Sequence, residues 1–186
     1  MMTFMSDAVD VWAAAARFDR NGVAEDEAVA EGERKRVLAE FRLEEWPMLP
    51  LERYALGQVQ SGSGMTYCRL MEFGVPHLGS IRGGSAAKNI MYRHNCGEWR
   101  LAAPLRDREP ADAWEQLRGQ YIKAFDAVAA EDFDALDDLD LLRFGPALVT
   151  KSLAAYFPQH FLPVYSARLS TLGVARLQGR CELEVC

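Results

Sequence analysis

The chain has no C-x-x-C pair; its four cysteines, Cys68, Cys96, Cys181 and Cys186, are scattered through 186 residues. That scatter argues against a structural zinc site and leaves free thiols in a reducing compartment as the expectation. Histidine is scarce too. His77, His94 and His160 stand alone, none with a metal-ligand neighbour at helical or turn spacing, so each is expected to be structural or solvated. No apolar run approaches the roughly 20 residues of a membrane span, so no membrane partner is expected. The first residues, Met1-Met2-Thr3-Phe4-Met5-Ser6-Asp7, carry neither a basic n-region nor a cleavage site, and a cytoplasmic location is the expectation. There is no G-x-S-x-G elbow, no H-E-x-x-H helix and no compact nuclease carboxylate motif. Asp132, Asp134, Asp137, Asp138 and Asp140 lack the Gly and Glu positions of a calcium loop and read as a solvated acidic face. No catalytic residue, metal site or cofactor is therefore expected.

A nucleotide-binding P-loop is absent as well, and by a narrow margin. That motif, G-x-x-x-x-G-K-[ST], needs its lysine directly after the second glycine to reach the phosphates. Gly79 and Gly84 have the right separation, but Ser85 stands where the lysine must be and Lys88 comes too late. The chain is not expected to be an NTPase by itself.

What is present is the stretch that fails this test. Leu78-Gly79-Ser80-Ile81-Arg82-Gly83-Gly84-Ser85-Ala86-Ala87-Lys88 packs three glycines, two serines, an arginine and a lysine between apolar, β-prone runs. Glycine permits positive φ and close approach of another molecule to the backbone. Consecutive exposed N–H groups in such a turn can form an anion-attracting nest. A plain Gly-rich hairpin turn with solvated charges fits the same residues.

The charge distribution sharpens the choice. Net charge is −6, yet residues 54–108 carry seven basic groups (Arg69, Arg82, Lys88, Arg93, Arg100, Arg106, Arg108) against three acidic ones. Residues 1–53 and 109–186 each carry seven basic against twelve acidic. A basic centre between acidic flanks is what a polyanion would feel at short range. The same charges could pair with the flanks on folding.

An apolar fraction of 49% suffices for a core, and the length suits one domain, or one domain with a helical extension. Helices are expected from Ser6 to about Phe18 and from Glu25 to Phe41. A short helical turn is expected over Leu51–Leu56. Thr66–Phe73, Leu78–Ile81, Asn89–Arg93 and Trp99–Ala102 read as strands of a small antiparallel sheet, with Cys96-Gly97 as a turn. Tyr67, Tyr92 and Trp99 are candidates for base stacking or for ordinary sheet core. Trp114, Leu117, Tyr121, Phe125 and Val128 recur at helical spacing. A short helix around Leu136–Leu142 and one opened by Gly145-Pro146 follow, with a last helix after Ser166. The fold class expected is α+β, a small antiparallel sheet packed with several helices.

Several segments carry a family resemblance. They are Glu45-Trp46-Pro47, Leu51-Glu52-Arg53-Tyr54-Ala55-Leu56-Gly57, Thr66 to Phe73, Leu78 to Lys88, and Tyr156-Phe157-Pro158 with Phe161 to Ser166. In order and spacing they resemble the domain that precedes the AAA+ motor in bacterial McrB-like proteins, relatives of the modified-cytosine-dependent restriction GTPase. The likeness spans about Val29 to Ser170. It implies an N-terminal helical extension at 1–24, an α+β recognition domain at 25–170 and a divergent tail at 171–186. It also implies a target-reading role in a restriction or defence system, with a separate AAA+ motor or nuclease subunit as partner. The family would continue past Ser170 into a motor with a P-loop, whereas this chain runs on through Thr171 to Cys186. A gene fragment, a frameshifted product and a stand-alone reader all remain open.

The function expected is non-catalytic recognition of nucleic acid, with DNA, including modified DNA, as the candidate target. Its candidate contacts are Arg69, Arg82, Gly83, Gly84, Ser85, Lys88 and Arg93, with Arg82 and Lys88 on phosphates. A protein-interaction or structural module is the alternative.

Overall fold

The computed structural model of the chain describes residues 19–57 and 64–162, with Ala13, Ala16 and Arg17 ahead of them. The helices expected before Phe18 and after Ser166, and the tail from 171, lie outside the described residues. The protein is α+β, as the patterning implies.

Helix α1 spans Ala24–Glu40. Glu25, Asp26 and Glu27 fill its first turn, where the helix dipole favours negative charge. Ion pairs Glu31–Arg34 and Arg36–Glu40 bridge successive turns of its outer face. Val37, near its end, is fully buried. Helix α2, Pro110–Ala129, starts on a proline, whose missing N–H is no loss at that position. Its Trp114, Leu117, Tyr121, Phe125 and Val128 all lie in the core, as their spacing requires. Helix α3, Pro146–Tyr156, is buried along most of its length. Short 3-10 segments at Leu43–Met48, Asp134–Asp138 and Asp140–Phe144 connect these helices.

The core is built around Trp46. Its ring meets Tyr67 at 5.0 Å, Tyr121 at 5.1 Å and Phe125 at 4.9 Å, in edge-on or tilted geometries that suit aromatic quadrupoles. Its indole N–H donates to the Tyr156 hydroxyl at 3.0 Å, which in turn donates to the Phe41 carbonyl at 2.6 Å. The Tyr67 hydroxyl donates to Ser152 Oγ at 2.7 Å. Burial raises the pKa of all these tyrosines and pushes the Cys68 thiol up to about 12, so each stays protonated.

The sheet is smaller than the strand pattern suggests. Strands β1, Met91–Arg93, and β2, Trp99–Leu101, pair antiparallel with Tyr92 opposite Arg100. Gly97 turns between them at φ 89°. A parallel bridge from Leu56 to Tyr92 extends the pairing by one residue.

The other two expected strands are not strands. Thr66 caps a helical turn, Tyr67–Arg69, by accepting from the Arg69 amide at 3.3 Å, and a π-helical turn, Leu70–Gly74, continues it. Tyr67, Cys68, Leu70, Met71 and Glu72 are all buried, so this segment is enclosed on several sides instead of alternating between core and solvent. Leu78–Ile81 is lost to a 3-10 turn, Pro76–Leu78, followed by irregular backbone with Gly79 at φ 86°. The Glu33 carboxylate of α1 accepts the amides of His77 and Leu78 at 2.8 and 3.2 Å and so occupies donors a strand would need.

Candidate nucleic-acid interface

The π-helical turn, the Gly-rich loop and a short 3-10 turn, Ala86–Asn89, form one surface. Two of the expected contacts meet on it. The guanidinium carbons of Arg69 and Arg82 each lie 5.9 Å from the centre of the Phe73 ring. Phe73 is 43% exposed, and both arginines are exposed. A cation over an aromatic face at such distances gains about 0.5–1 kcal/mol at an exposed site. Arg82 also donates to the Phe73 carbonyl at 2.7 Å. One ring therefore gathers two guanidiniums, and most of their N–H donors have no partner among the described residues.

This segment is fixed from below. Lys151 of α3, 1% exposed, sends its ammonium to the Met71 and Val75 carbonyls, each at 2.7 Å. These carbonyls flank the exit of the π-helical turn, where intrahelical donors run out. Burial lowers the pKa of Lys151 to about 8; the nearby Glu33 carboxylate opposes that shift and the Arg82 guanidinium adds to it.

Lys88 lies where the phosphate reading did not expect it. Its side chain is only 12% exposed. Its ammonium donates to Glu72 Oε1 at 2.6 Å and to the Gly83 carbonyl at 2.8 Å. Two of its three donors are thus spent tying the loop to the π-helical turn, and Lys88 positions the loop instead of presenting charge. Glu72 is itself 6% exposed, and its second oxygen has no partner among the described residues.

The loop glycines behave as the sequence implies. Gly83 and Gly84 take φ 83° and 66° and are exposed, with open space where a Cβ would stand. Ser85 is turned to the chain's own use, its hydroxyl accepting the Ala87 amide at 3.1 Å as an N-cap. Arg93 stands apart on the hairpin, with Nε donating to the Gly97 carbonyl at 2.9 Å. Of the stacking candidates, Tyr67 is fully buried and cannot stack on a ligand, while Tyr92 and Trp99 are half-buried.

The ion pairs within residues 54–108 are Glu72–Lys88 and Glu98–Arg100, both internal to the basic centre. Among the described residues no carboxylate of the acidic flanks pairs with Arg69, Arg82 or Arg93. His77 meets a carboxylate of the flank, its Nδ1 lying 2.8 Å from Glu33 Oε1.

Phe73 is the residue the sequence did not single out. Its signal was weak: one aromatic next to a glutamate, in a run that resembles a strand. No family model, no curated protein and no solved structure matches the chain.

Proposed function

We propose that the protein is a nucleic-acid recognition module with no catalytic activity of its own. The observation that carries this reading is the pair Arg69 and Arg82, without carboxylate partners among the described residues and held against exposed Phe73 beside the Gly83-Gly84 turn. Guanidiniums fixed in this way lose less side-chain freedom when they take a phosphate, and their planar forks match phosphate oxygens. The two exposed glycines let a backbone approach the same place without a side chain intervening.

The resemblance to the reader domain of McrB-like proteins supports DNA as the polyanion and a restriction or defence setting as the context. A separate motor or nuclease subunit would supply the chemistry that this chain's residues do not.

Titration of labelled duplex DNA over a salt series tests the proposal. Two phosphate contacts predict an affinity loss of roughly tenfold between 50 and 200 mM salt, from the release of about 0.9 counterion per contact. Binding that ignores salt, or no binding at 50 mM, would end this reading.

A further inference from the structure

A second surface carries chemistry of the opposite sign. A groove of about 320 Å³ opens between the Leu43–Met48 segment and the last turns of α2. Its wall is apolar, from Leu43, Pro47, Ile122, Phe125, Ala129 and Phe157. The volume lies at the low end of ligand pockets, roughly 300–1,000 Å³. Exposed apolar side chains adjoin the wall residues in sequence: Met48 at 82% exposure next to Pro47, and Leu162 at 76% a few residues beyond Phe157. Phe133, 43% exposed, packs against the Phe161 ring at 6.2 Å between centroids.

The charges in the groove wall agree in sign. The two ionisable residues in its wall, Glu44 and Asp126, are both acids. Exposed Glu45, Glu131, Asp132 and Asp134 follow in the adjoining segments. Arg42 approaches Glu44 only to 3.9 Å, with both side chains largely in solvent. Asp126 and Ala129 belong to the last turn of α2, and Phe157 is the residue on which α3 ends. Both helices therefore bring carboxyl-terminal ends, with their partial negative charge, to one place. An apolar slot in a negative field suits an occupant with large apolar anchors and positive flanks.

We propose that this groove docks a basic amphipathic helix of a partner protein, one or two leucine-sized side chains entering the slot and Lys or Arg residues facing Glu44 and Asp126. Helix-in-groove recognition places anchors at i, i+3 or i+4 spacing, which suits an open slot bordered by a helix. The complementary charge would speed encounter and exclude acidic competitors. The groove shares no residue with the Arg69–Phe73–Arg82 cluster, so the proposal stands without the nucleic-acid reading.

The test uses the full chain and a labelled synthetic helical peptide with leucines at i, i+4 and i+7 flanked by lysines. A second peptide carries glutamate for every lysine. Fluorescence anisotropy should show the basic peptide binding at least about tenfold tighter than the acidic one, and weakening with salt. Ala129→Arg, at an exposed helical position, should reduce basic-peptide binding about tenfold with an unchanged melting temperature. Equal binding of both peptides, or indifference to Ala129→Arg, overturns the proposal.

Two other occupants are tested alongside. Amide exchange at Ile122–Ala129 that is slow in the full chain and speeds up in Leu169→Asp/Leu172→Asp would assign the groove to the chain's own C-terminal residues. Self-association that Ala129→Arg abolishes would assign it to a second copy. Either result overturns a partner helix as occupant.

Discussion

Replacing Lys88 separates a residue that builds the loop from one that contacts ligand. In Lys88→Ala the Glu72 carboxylate, 6% exposed and already short of a partner on one oxygen, loses its ion pair. Stranding a buried charge in this way costs roughly 3–5 kcal/mol. The Gly83 carbonyl also loses its donor, but that group can turn to water because the loop is exposed. Taking about 3 kcal/mol, and about 2–4 °C per kcal/mol for a chain of this size, the melting temperature should fall by roughly 6–12 °C. Differential scanning calorimetry at pH 7 reads this directly. The double variant Glu72→Gln/Lys88→Met removes both charges together and should recover much of the loss, because the penalty comes from the unpaired survivor. A melting shift of under about 2 °C in Lys88→Ala, combined with a salt slope for DNA lowered by about one, would refute the reasoning. It would return Lys88 to the phosphate-contact role.

Three further outcomes follow from the same geometry. Gly145→Ala should destabilise by a few kcal/mol, because its Cβ would stand 2.4 Å from the Lys88 carbonyl and 2.6 Å from Ile90 Cγ1; urea unfolding measures the loss, and wild-type stability would show that the Lys88–Ile90 turn yields easily. Gly84→Val should cost about 1–2 kcal/mol through its φ of 66° alone, since nothing crowds the site; an unchanged urea midpoint would mean that the loop readily takes another conformation. For Lys151, with a folded pKa of about 8 against the ordinary 10.5, the unfolded chain binds more protons between those two values, so stability should rise with pH in that window. The gain is roughly 2 kcal/mol between pH 8 and 10, read from urea midpoints, and Lys151→Met should flatten it.

The helices were legible because their signals are local. The Trp114–Val128 periodicity and Gly145-Pro146 act within a turn or two of where they stand. The 91–101 hairpin was legible for the same reason, through Gly97. Thr66–Phe73 was misread because aromatic and β-branched residues suggest a strand, whereas what decides the segment is long-range. Lys151 satisfies its carbonyls from 76 and 80 residues away, and Ser152 takes the Tyr67 hydroxyl from 85. A one-residue window cannot see those partners. The candidate site divides along the same line. Composition located Arg69, Arg82 and the glycine pair, and local φ preference described Gly83 and Gly84 correctly. Lys88 needed Glu72, sixteen residues earlier and buried, before its role could be assigned. The groove between Leu43–Met48 and α2 has no sequence signature, because its walls come from three separate segments.

The central claim is that Arg69 and Arg82 form a prearranged phosphate-binding pair, and the salt dependence of duplex binding tests it most directly. Wild type, Arg69→Ala, Arg82→Ala and the double variant would be titrated with the same labelled duplex from 50 to 200 mM salt. Each single variant should lower the slope of log affinity against log salt by about one, and the double variant by about two, uniformly across DNA sequences. Melting temperatures should stay near wild type, because both side chains are exposed and surface substitutions usually change stability by less than about 0.5 kcal/mol. Slopes unchanged in both single variants and in the double variant would contradict the account.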